Sequence, residues 1–193
     1  MTKFNVLIGA TGSVASIKVE ELLDQIVSIG SHDQIDVKLI VTDHAAHFID
    51  LELLKNRGYN VCTDADEWTS WKSKGDPVLH IELRRWADVF LIAPLDANTM
   101  AKLANGICDN LLTSVARAWD PAKSLFVCPA MNTFMYEHPL TEEHVNKLKS
   151  LNYAVIPPIS KALVCGDVGM GAMAQVDTIV QNVRELFETF LAK

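Results

Sequence analysis

The sequence predicts an α/β fold, a single-domain Rossmann-like three-layer sandwich built around a parallel sheet. Short, apolar, β-rich runs alternate with segments whose apolar residues recur at helical spacing, which is typical of a parallel sheet covered on both faces by helices. The chain has 193 residues and is 49% hydrophobic, enough for one full core. Because no repeat, linker or low-complexity segment divides it, we expect one domain over residues 1–193.

Each element follows from its local pattern. Apolar runs predict strands at residues 4–8, 37–41, 88–93, 125–128 and 154–156. Helical spacing predicts helices over residues 14–29, 98–104, 111–118, 141–151 and 178–191. Gly30 ends the first helix, and Thr141 looks like the cap of the fourth. Residues 57–79 are the least regular, with Trp68 and Trp71 in a polar context, and we interpret them as a flap or an oligomer contact.

Charge and hydropathy exclude two classes of partner. The net charge of −7 argues against nucleic acid. No apolar run reaches the roughly 18 residues of a membrane-spanning helix, so we expect no membrane partner. Residues 5–17 could pass for a signal-peptide core, but Gly9, Gly12 and Ser13 interrupt the run. A strand, a turn and a helix explain the segment better.

The cysteines indicate compartment and chemistry. None forms a CxxC pair or a zinc-like spacing with histidines, so we predict no metal site. With no secretory signal, we expect reduced thiols in a cytoplasmic protein. Cys62, Cys108 and Cys128 have apolar neighbours and are interpreted as core residues, whereas Cys165 lies in a glycine-rich loop.

Polar or glycine-rich segments follow three predicted strands. They are residues 9–13, 94–99 and 129–132. In open parallel sheets, ligands bind beyond the carboxyl ends of the strands, where the strand order reverses. The coincidence of three such segments at strand ends predicts a ligand site at that edge of the sheet.

The first two strand ends suit an anion or a sugar. Glycines between Gly9 and Ser13 let the backbone approach an anion, and the helix that begins there offers unpaired N–H groups; a tight turn is the alternative. The spacing is neither GxGxxG nor a Walker loop. Asp43, between Thr42 and His44, follows the second strand and could bind a ribose hydroxyl as in NAD-linked oxidoreductases. A helix cap at Thr42 or Asp43 explains the segment equally well.

The later strand ends carry hydrogen-bonding side chains. Asn98 and Thr99 can donate and accept, which suits a flat heteroaromatic ring or a polyol, while Asp96 could simply cap a helix. Asn132 could hold a carboxylate through its amide, or cap the next helix.

His80 and Cys165 are the two candidates for proton transfer. His80 lies between Leu79 and Ile81, just before a helical segment, and could be structural or could do acid–base work. The glycines around Cys165 predict a loop that closes over substrate, where a thiol could donate a proton; a buried cysteine is the alternative.

The motifs together resemble the homo-oligomeric flavin-containing cysteine decarboxylase family, and within it the phosphopantothenoylcysteine decarboxylases. The family's PASANT motif corresponds to PLDANT at residues 94–99, and its PxMNxxMW motif to PAMNTFMY at residues 129–136, with Tyr136 in place of the final Trp. Residues 76–81 resemble the segment around the family's active-site histidine. Cys165 falls on the cysteine of the substrate-clamp loop.

The resemblance implies a cofactor, an assembly and a set of site residues. It implies a Rossmann-like protomer, usually in a homotrimer, with FMN near a subunit interface. His80 and Cys165 would be catalytic. The FMN contacts would come from Gly12, Ser13, Val14, Thr42, Asp43, His44, Asp96, Ala97, Asn98, Thr99 and Ala130. Asn132 would bind the substrate carboxylate, and the clamp would be lined by Ala162, Leu163 and Val164.

The implied reaction is FMN-dependent decarboxylation of 4′-phosphopantothenoylcysteine to 4′-phosphopantetheine, a step of coenzyme A biosynthesis. The cysteine side chain would be oxidised to a thioaldehyde, lose CO₂ as a stabilised enethiolate, and be reduced with Cys165 as proton donor. A peptidyl-cysteine decarboxylase of the same family would stop at the enethiol and needs no clamp cysteine. Regulatory relatives that inhibit phosphatases have lost the histidine, which this chain keeps as His80.

Overall fold

A computed structural model describes residues 3–31, 33–162 and 168–192, and its centre is a parallel sheet of six strands. The spatial order is β3-β2-β1-β4-β5-β6, and neighbouring strands of this sheet pair in parallel. The strands are β1 Phe4–Ala10, β2 Ile35–Val41, β3 Asn60–Thr63, β4 Val89–Leu95, β5 Ser124–Pro129 and β6 Ala154–Val155. The predicted α/β class is therefore confirmed.

Helices connect these strands and cover both faces of the sheet. Their bounds are α1 Val19–Val27, α2 Leu51–Asn56, α3 Asp64–Ser70, α4 Leu79–Trp86, α5 Ala97–Asn105, α6 Leu111–Arg117, α7 Thr133–Tyr136, α8 Pro139–Ser150 and α9 Val176–Leu191. In the part of the chain that the structure describes, no helix combines the length and the apolar character needed to cross a bilayer.

Two apolar cores lie on opposite faces of the sheet because side chains alternate along each strand. On β1, Val6 and Ile8 face the first core, whose helical residues come mainly from α1 and α9 and include Leu54 of α2. Leu7 faces the second core, which α4, α5, α6 and α8 complete. This alternation produces the three layers that the sequence predicts.

A two-stranded antiparallel hairpin stands apart from the central sheet. It consists of β7 Ile159–Ala162 and β8 Val168–Ala172. The Gly171 carbonyl accepts a hydrogen bond from the Met131 N–H at 2.9 Å, which fastens β8 to the chain that leaves β5. The hairpin therefore forms a wall beside the carboxyl edge of the sheet.

The predicted helix over residues 14–29 is divided. Val14–Lys18 forms a 3₁₀ turn, and the α-helix begins at Val19. The Ser16 hydroxyl donates to the Thr11 carbonyl at 2.8 Å, and this side-chain bond back to the strand end keeps the first turn tight. Val14 and Ile17, which belong to the helical spacing of this segment, are 42% and 59% exposed.

The irregular stretch of residues 57–79 contains two elements that the sequence pattern does not predict. The edge strand β3 pairs with β2, and α3 follows it directly. A four-residue strand with polar ends lacks the apolar run by which the other strands are recognised. Trp68 and Trp71, 78% and 51% exposed, lie on and just after α3.

Two smaller expectations were wrong. Thr141 does not cap α8; His138 does, accepting the Leu140 N–H at its ring nitrogen, and the helix starts earlier because Pro139 is well suited to the first helical position. Cys108 is exposed rather than a core residue, whereas Cys62 and Cys128 are buried as expected.

Candidate active site

The carboxyl ends of β1 and β4 are tied together by one buried threonine. The Thr11 hydroxyl donates to the Pro94 carbonyl at 2.8 Å and accepts the Asp96 N–H at 2.7 Å. β1 and β4 are the two central strands, and the connections that leave them run to opposite sides of the sheet. This is the switch point of the strand order, where open α/β sheets bind ligands.

A cavity of about 400 Å³ opens at this switch point. Seven of the predicted site residues line it, namely Gly12, Ser13, Val14, Asp96, Ala97, Ala130 and Asn132. The opposite wall comes from the hairpin and the segment after it, including Ile159, Lys161, Gly171 and Met173. Segments far apart in sequence therefore converge on one space, as the strand-end argument predicts.

The turn after β1 has room for a glycine and for little else. A Cβ on Gly12 would lie 2.7 Å from the His44 Cβ and 3.1 Å from Asp96 Oδ2. Ser13 caps the following 3₁₀ turn, its hydroxyl accepting the Ala15 N–H at 3.3 Å. The exposed Val14 and Ile17 side chains line the cavity, so these apolar groups serve the site and not the core.

Asp96 and Asn132 are helix caps that also line the cavity. Asp96 Oδ1 accepts the Thr99 N–H at 2.7 Å, and Asn132 Oδ1 accepts the Phe134 N–H at 2.9 Å. The cap interpretation is thus correct for both side chains. It is compatible with binding, because capping fixes the orientation of the polar groups beside the cavity.

Five other predicted cofactor contacts lie near the cavity without lining it. The Thr42 hydroxyl is buried and accepts the Ala45 N–H at 3.3 Å, as its cap alternative predicts, and Thr99 is buried beneath Asp96. Asp43, His44 and Asn98 are exposed. The neighbouring Asp64 has a raised pKa, first because it is partly buried and also because the Asp43 charge is close.

His80 lies in the first turn of α4 and is half-buried. It is not among the described residues that line the cavity of the same chain. Its imidazole Nδ1 is 2.5 Å from Glu67 Oε1. Within one protomer, the structure therefore does not bring His80 together with Asn132 at the cavity.

The predicted clamp is described only in part. Ala162 ends β7, on the hairpin that walls the cavity. Leu163, Val164 and Cys165 lie outside the described residues.

Several residues of this site were not found from the sequence. The Thr11 hydroxyl joins β1 to β4. In the sequence Thr11 lies between Gly9 and Gly12, so the pattern indicates only an ordinary turn residue. Lys161 lines the cavity from the hairpin, opposite the strand ends. The motif CGDVGMGAM marks this segment as glycine-rich, but its packing against Met131 is a tertiary contact that spacing does not predict.

Charged side chains of both signs lie along the cavity. Lys18 and Lys161 both line it, beside the single carboxylate of Asp96 among the described lining residues. Lys18 is paired with Glu21 at 2.8 Å on the exposed side of the turn. A phosphate-bearing molecule would meet the cation of Lys161, and small residues such as Ala97 and Ala130 line the same cavity.

Comparisons with known proteins agree with this geometry. Residues 1–188 match the Flavoprotein family. The chain is 53% identical over 182 residues to the phosphopantothenoylcysteine decarboxylase of Mus musculus, covering 94% of this chain and 86% of that protein.

Two solved structures are similar over nearly the whole chain. One is a cysteine-to-serine mutant of PPC decarboxylase complexed with pantothenoylaminoethenethiol, with a TM-score of 0.90, 50% identity, and coverage of 97% of this chain and 100% of that one. The other is the FMN binding protein AtHal3, with a TM-score of 0.87, 50% identity, and coverage of 97% and 98%. The chain therefore belongs to the flavoprotein family, together with the phosphopantothenoylcysteine decarboxylase of Mus musculus.

Proposed function

We propose that this protein is an FMN-dependent decarboxylase that converts 4′-phosphopantothenoylcysteine to 4′-phosphopantetheine in coenzyme A biosynthesis. One observation carries the proposal: the switch-point cavity is lined by the strand-end motif residues, in a chain 50% identical over nearly its full length to a PPC decarboxylase that binds a pantothenoyl enethiol. The ligand of that relative has the pantothenoyl arm and the enethiol that the reaction would produce.

The cavity fits a flat, phosphate-bearing cofactor. Small residues form much of its wall, with Gly12, Ala97 and Ala130 on the sheet side and Gly171 on the hairpin side. FMN would be held by the contacts named from the resemblance, and the FMN binding protein AtHal3, of the same fold, supports this choice. When bound, FMN supplies the two-electron oxidation that gives the departing carboxylate an electron sink, and the later return of those electrons.

The chain's own residues bind, orient and transfer protons. Asn132, fixed by its cap bond to Phe134, holds the substrate carboxylate. Lys161 at the mouth attracts the phosphate end of the substrate. The apolar residues Val14, Ile17 and Met135 exclude water from the reacting sulfur. Ala162, Leu163 and Val164 belong to the clamp, and Cys165 delivers the proton that completes the product.

The activity assay that tests this function uses the wild-type protein and Cys165→Ser together. Wild-type protein should be yellow, release FMN on denaturation, and convert 4′-phosphopantothenoylcysteine to CO₂ and 4′-phosphopantetheine. Serine is close in size to cysteine but a much poorer acid, so Cys165→Ser should still release CO₂ while its product stops at the enethiol. Product mass and CO₂ yield measure both outcomes.

The same assay separates the alternatives. Colourless protein, or no CO₂ from this substrate, would refute the function. A peptide with a C-terminal cysteine serves as the competing substrate, and faster turnover of the peptide would favour a peptidyl-cysteine decarboxylase. A protein that binds FMN but turns over neither substrate would favour a regulatory role.

We further propose that the working unit is a homotrimer in which His80 reaches the cavity of a neighbouring subunit. His80 is absent from the described lining of its own cavity. Apolar side chains are exposed on both sides of such a contact, with Trp68 and Trp71 near α4, and Phe134 and Met135 on α7, where Met135 lines the cavity. An interface that joins two different surfaces closes into a ring when its rotation permits.

Mixed trimers test this assembly. His80→Asn and Asn132→Asp should each be inactive alone. When both are co-expressed with different tags and purified through both, every ring holds two subunits of one kind and one of the other, so about one third of the sites should combine an intact His80 with an intact Asn132. CO₂ release should recover accordingly. Mixed trimers as inactive as the parents, or an active FMN-saturated monomer in sedimentation, would contradict the shared site.

The remaining placements are proposals of the same kind. We place the protein in the cytoplasm, with a small-molecule substrate and with no nucleic-acid or membrane partner. The net charge of −7 supports the absence of nucleic acid, since binding of phosphate backbones needs basic surfaces. The free thiols of Cys62, Cys108 and Cys128 agree with a reducing compartment.

A further inference from the structure

One carboxylate outside the cavity holds His80 at two points. Glu67 Oε1 lies 2.5 Å from the imidazole Nδ1, and Glu67 Oε2 accepts the His80 backbone N–H at 3.0 Å. The Glu67 side chain is only 10% exposed, and that of His80 is 26% exposed. Both oxygens of this largely buried carboxylate therefore bind one residue, His80, which lies 13 positions away in sequence.

The carboxylate sits on a helix that is itself anchored. Thr63 and Asp66 form a capping box at the start of α3, in which the Asp66 carboxylate accepts the Thr63 N–H at 2.7 Å. Asp64 Oδ1 accepts the Leu111 N–H at 2.9 Å and ties α3 to α6. Because these bonds fix the start of α3, and Glu67 itself binds the His80 N–H, Glu67 is held at a defined place relative to α4.

The contact determines which imidazole nitrogen carries the proton. An ionised carboxylate accepts hydrogen bonds and donates none. Nδ1 must therefore carry the hydrogen in its bond to Glu67, and in the neutral ring Nε2 is left with the lone pair. We propose that Glu67 is a positioning residue for the reaction, locking His80 in the Nδ1–H tautomer so that Nε2 faces the substrate.

This inference rests on the proposed function, because it assumes that His80 acts in the decarboxylation. It goes further in naming the group that sets the tautomer and the ring orientation. The competing explanation is that Glu67 only caps α4, whose N-cap residue Val78 offers no side-chain bond. A cap needs the bond to the His80 N–H alone, whereas positioning needs the bond to Nδ1.

Glu67→Gln distinguishes the two roles. The glutamine amide oxygen can still accept the backbone N–H, but its NH₂ group can only donate to Nδ1. His80 should then switch to the Nε2–H tautomer. By comparison with other tautomer-setting carboxylates, kcat should fall at least about 100-fold, while KM, FMN content and melting temperature stay near wild type.

The tautomer is measured directly by ¹⁵N NMR of histidine-labelled holoenzyme. The His80 signals are assigned by their loss in His80→Asn. The matched control is Glu82→Gln, the same chemical change in the first turn of α4, where Glu82 contacts Arg85 at 3.0 Å and is exposed. This control should keep wild-type kcat and the wild-type tautomer.

Each result decides the proposal. A tautomer switch with a selective loss of kcat supports it. Unchanged kcat in Glu67→Gln, or a loss of melting temperature and FMN that accounts for the whole effect, overturns it. An Nε2–H tautomer of His80 in wild-type protein would overturn the role of Glu67 whatever the activity. If wild-type protein releases no CO₂ from the proposed substrate, it is the proposed function that fails.

Discussion

Replacing His80 with asparagine is expected to reduce CO₂ release by about 10²–10⁴-fold, the usual contribution of a general acid–base group. The fold and the FMN content should persist, because His80 lines no described part of its own cavity and lies outside both apolar cores. The asparagine amide can still hydrogen-bond to Glu67, so α4 keeps its tie to α3. The measurement is single-turnover CO₂ release, with flavin absorbance and thermal unfolding of the same samples.

The control for this variant is His47→Asn. His47 is exposed on the 3₁₀ turn after β2, where its ring contacts Phe48, and its replacement should leave turnover unchanged. Near-wild-type CO₂ release by His80→Asn would remove His80 from the reaction, and with it the argument for a shared site.

The second large effect is expected at Gly171, where the hairpin meets Met131 and Asn132 of the chain that leaves β5. Its φ is +138°, and a Cβ there would lie 2.4 Å from the Met131 carbonyl oxygen. Backbone cannot yield as a flexible side chain can, so Gly171→Ala must push β8 away from Met131 and Asn132. A displacement of about 1 Å at a positioned site can cost 10²-fold in rate, and we expect CO₂ release to fall by about that factor.

Gly58→Ala separates this steric effect from backbone strain. Gly58 also has a positive φ, +87°, but a Cβ there would meet nothing within 4 Å. In both variants alanine must adopt a positive φ, which lowers the free energy of unfolding by an amount of the order of 1–3 kcal/mol. Both should therefore melt at a lower temperature than wild type. Only Gly171→Ala should lose activity beyond its loss of stability. Equal activity in the two variants would mean that the hairpin does not position the site.

The sequence pattern located the strand ends because burial on both faces produces long apolar runs that are easy to recognise. β1, β2, β4 and β5 fall where their runs predict, and the polar residues at their ends meet in one cavity. Elements without such a pattern were missed. β3 is four residues long at the sheet edge, and α3 is a polar helix with no buried residue, so neither leaves a periodic signal.

The same pattern does not separate core residues from residues that line a cavity. Val14 and Ile17 have the spacing of a core-facing helix stripe, yet they line the cavity. Hydrophobic periodicity reports that a side chain avoids water, but not whether protein or ligand covers it. Cys108 was misassigned for a related reason, because apolar neighbours in sequence do not guarantee burial in a loop.

The sequence by itself determined the α/β class, the order of the strands along the chain, the strand ends that carry the site and the family resemblance, since all of these depend on local pattern and motif. Only the tertiary structure decided that Glu67 and His80 form a pair, that Gly171 packs on Met131, and that His80 is absent from the described lining of its own cavity. These facts depend on how separate helices and hairpins pack against each other. Side-chain shape and hydrogen bonds between residues far apart in sequence determine that packing, and the spacing of residues along the chain does not reveal it.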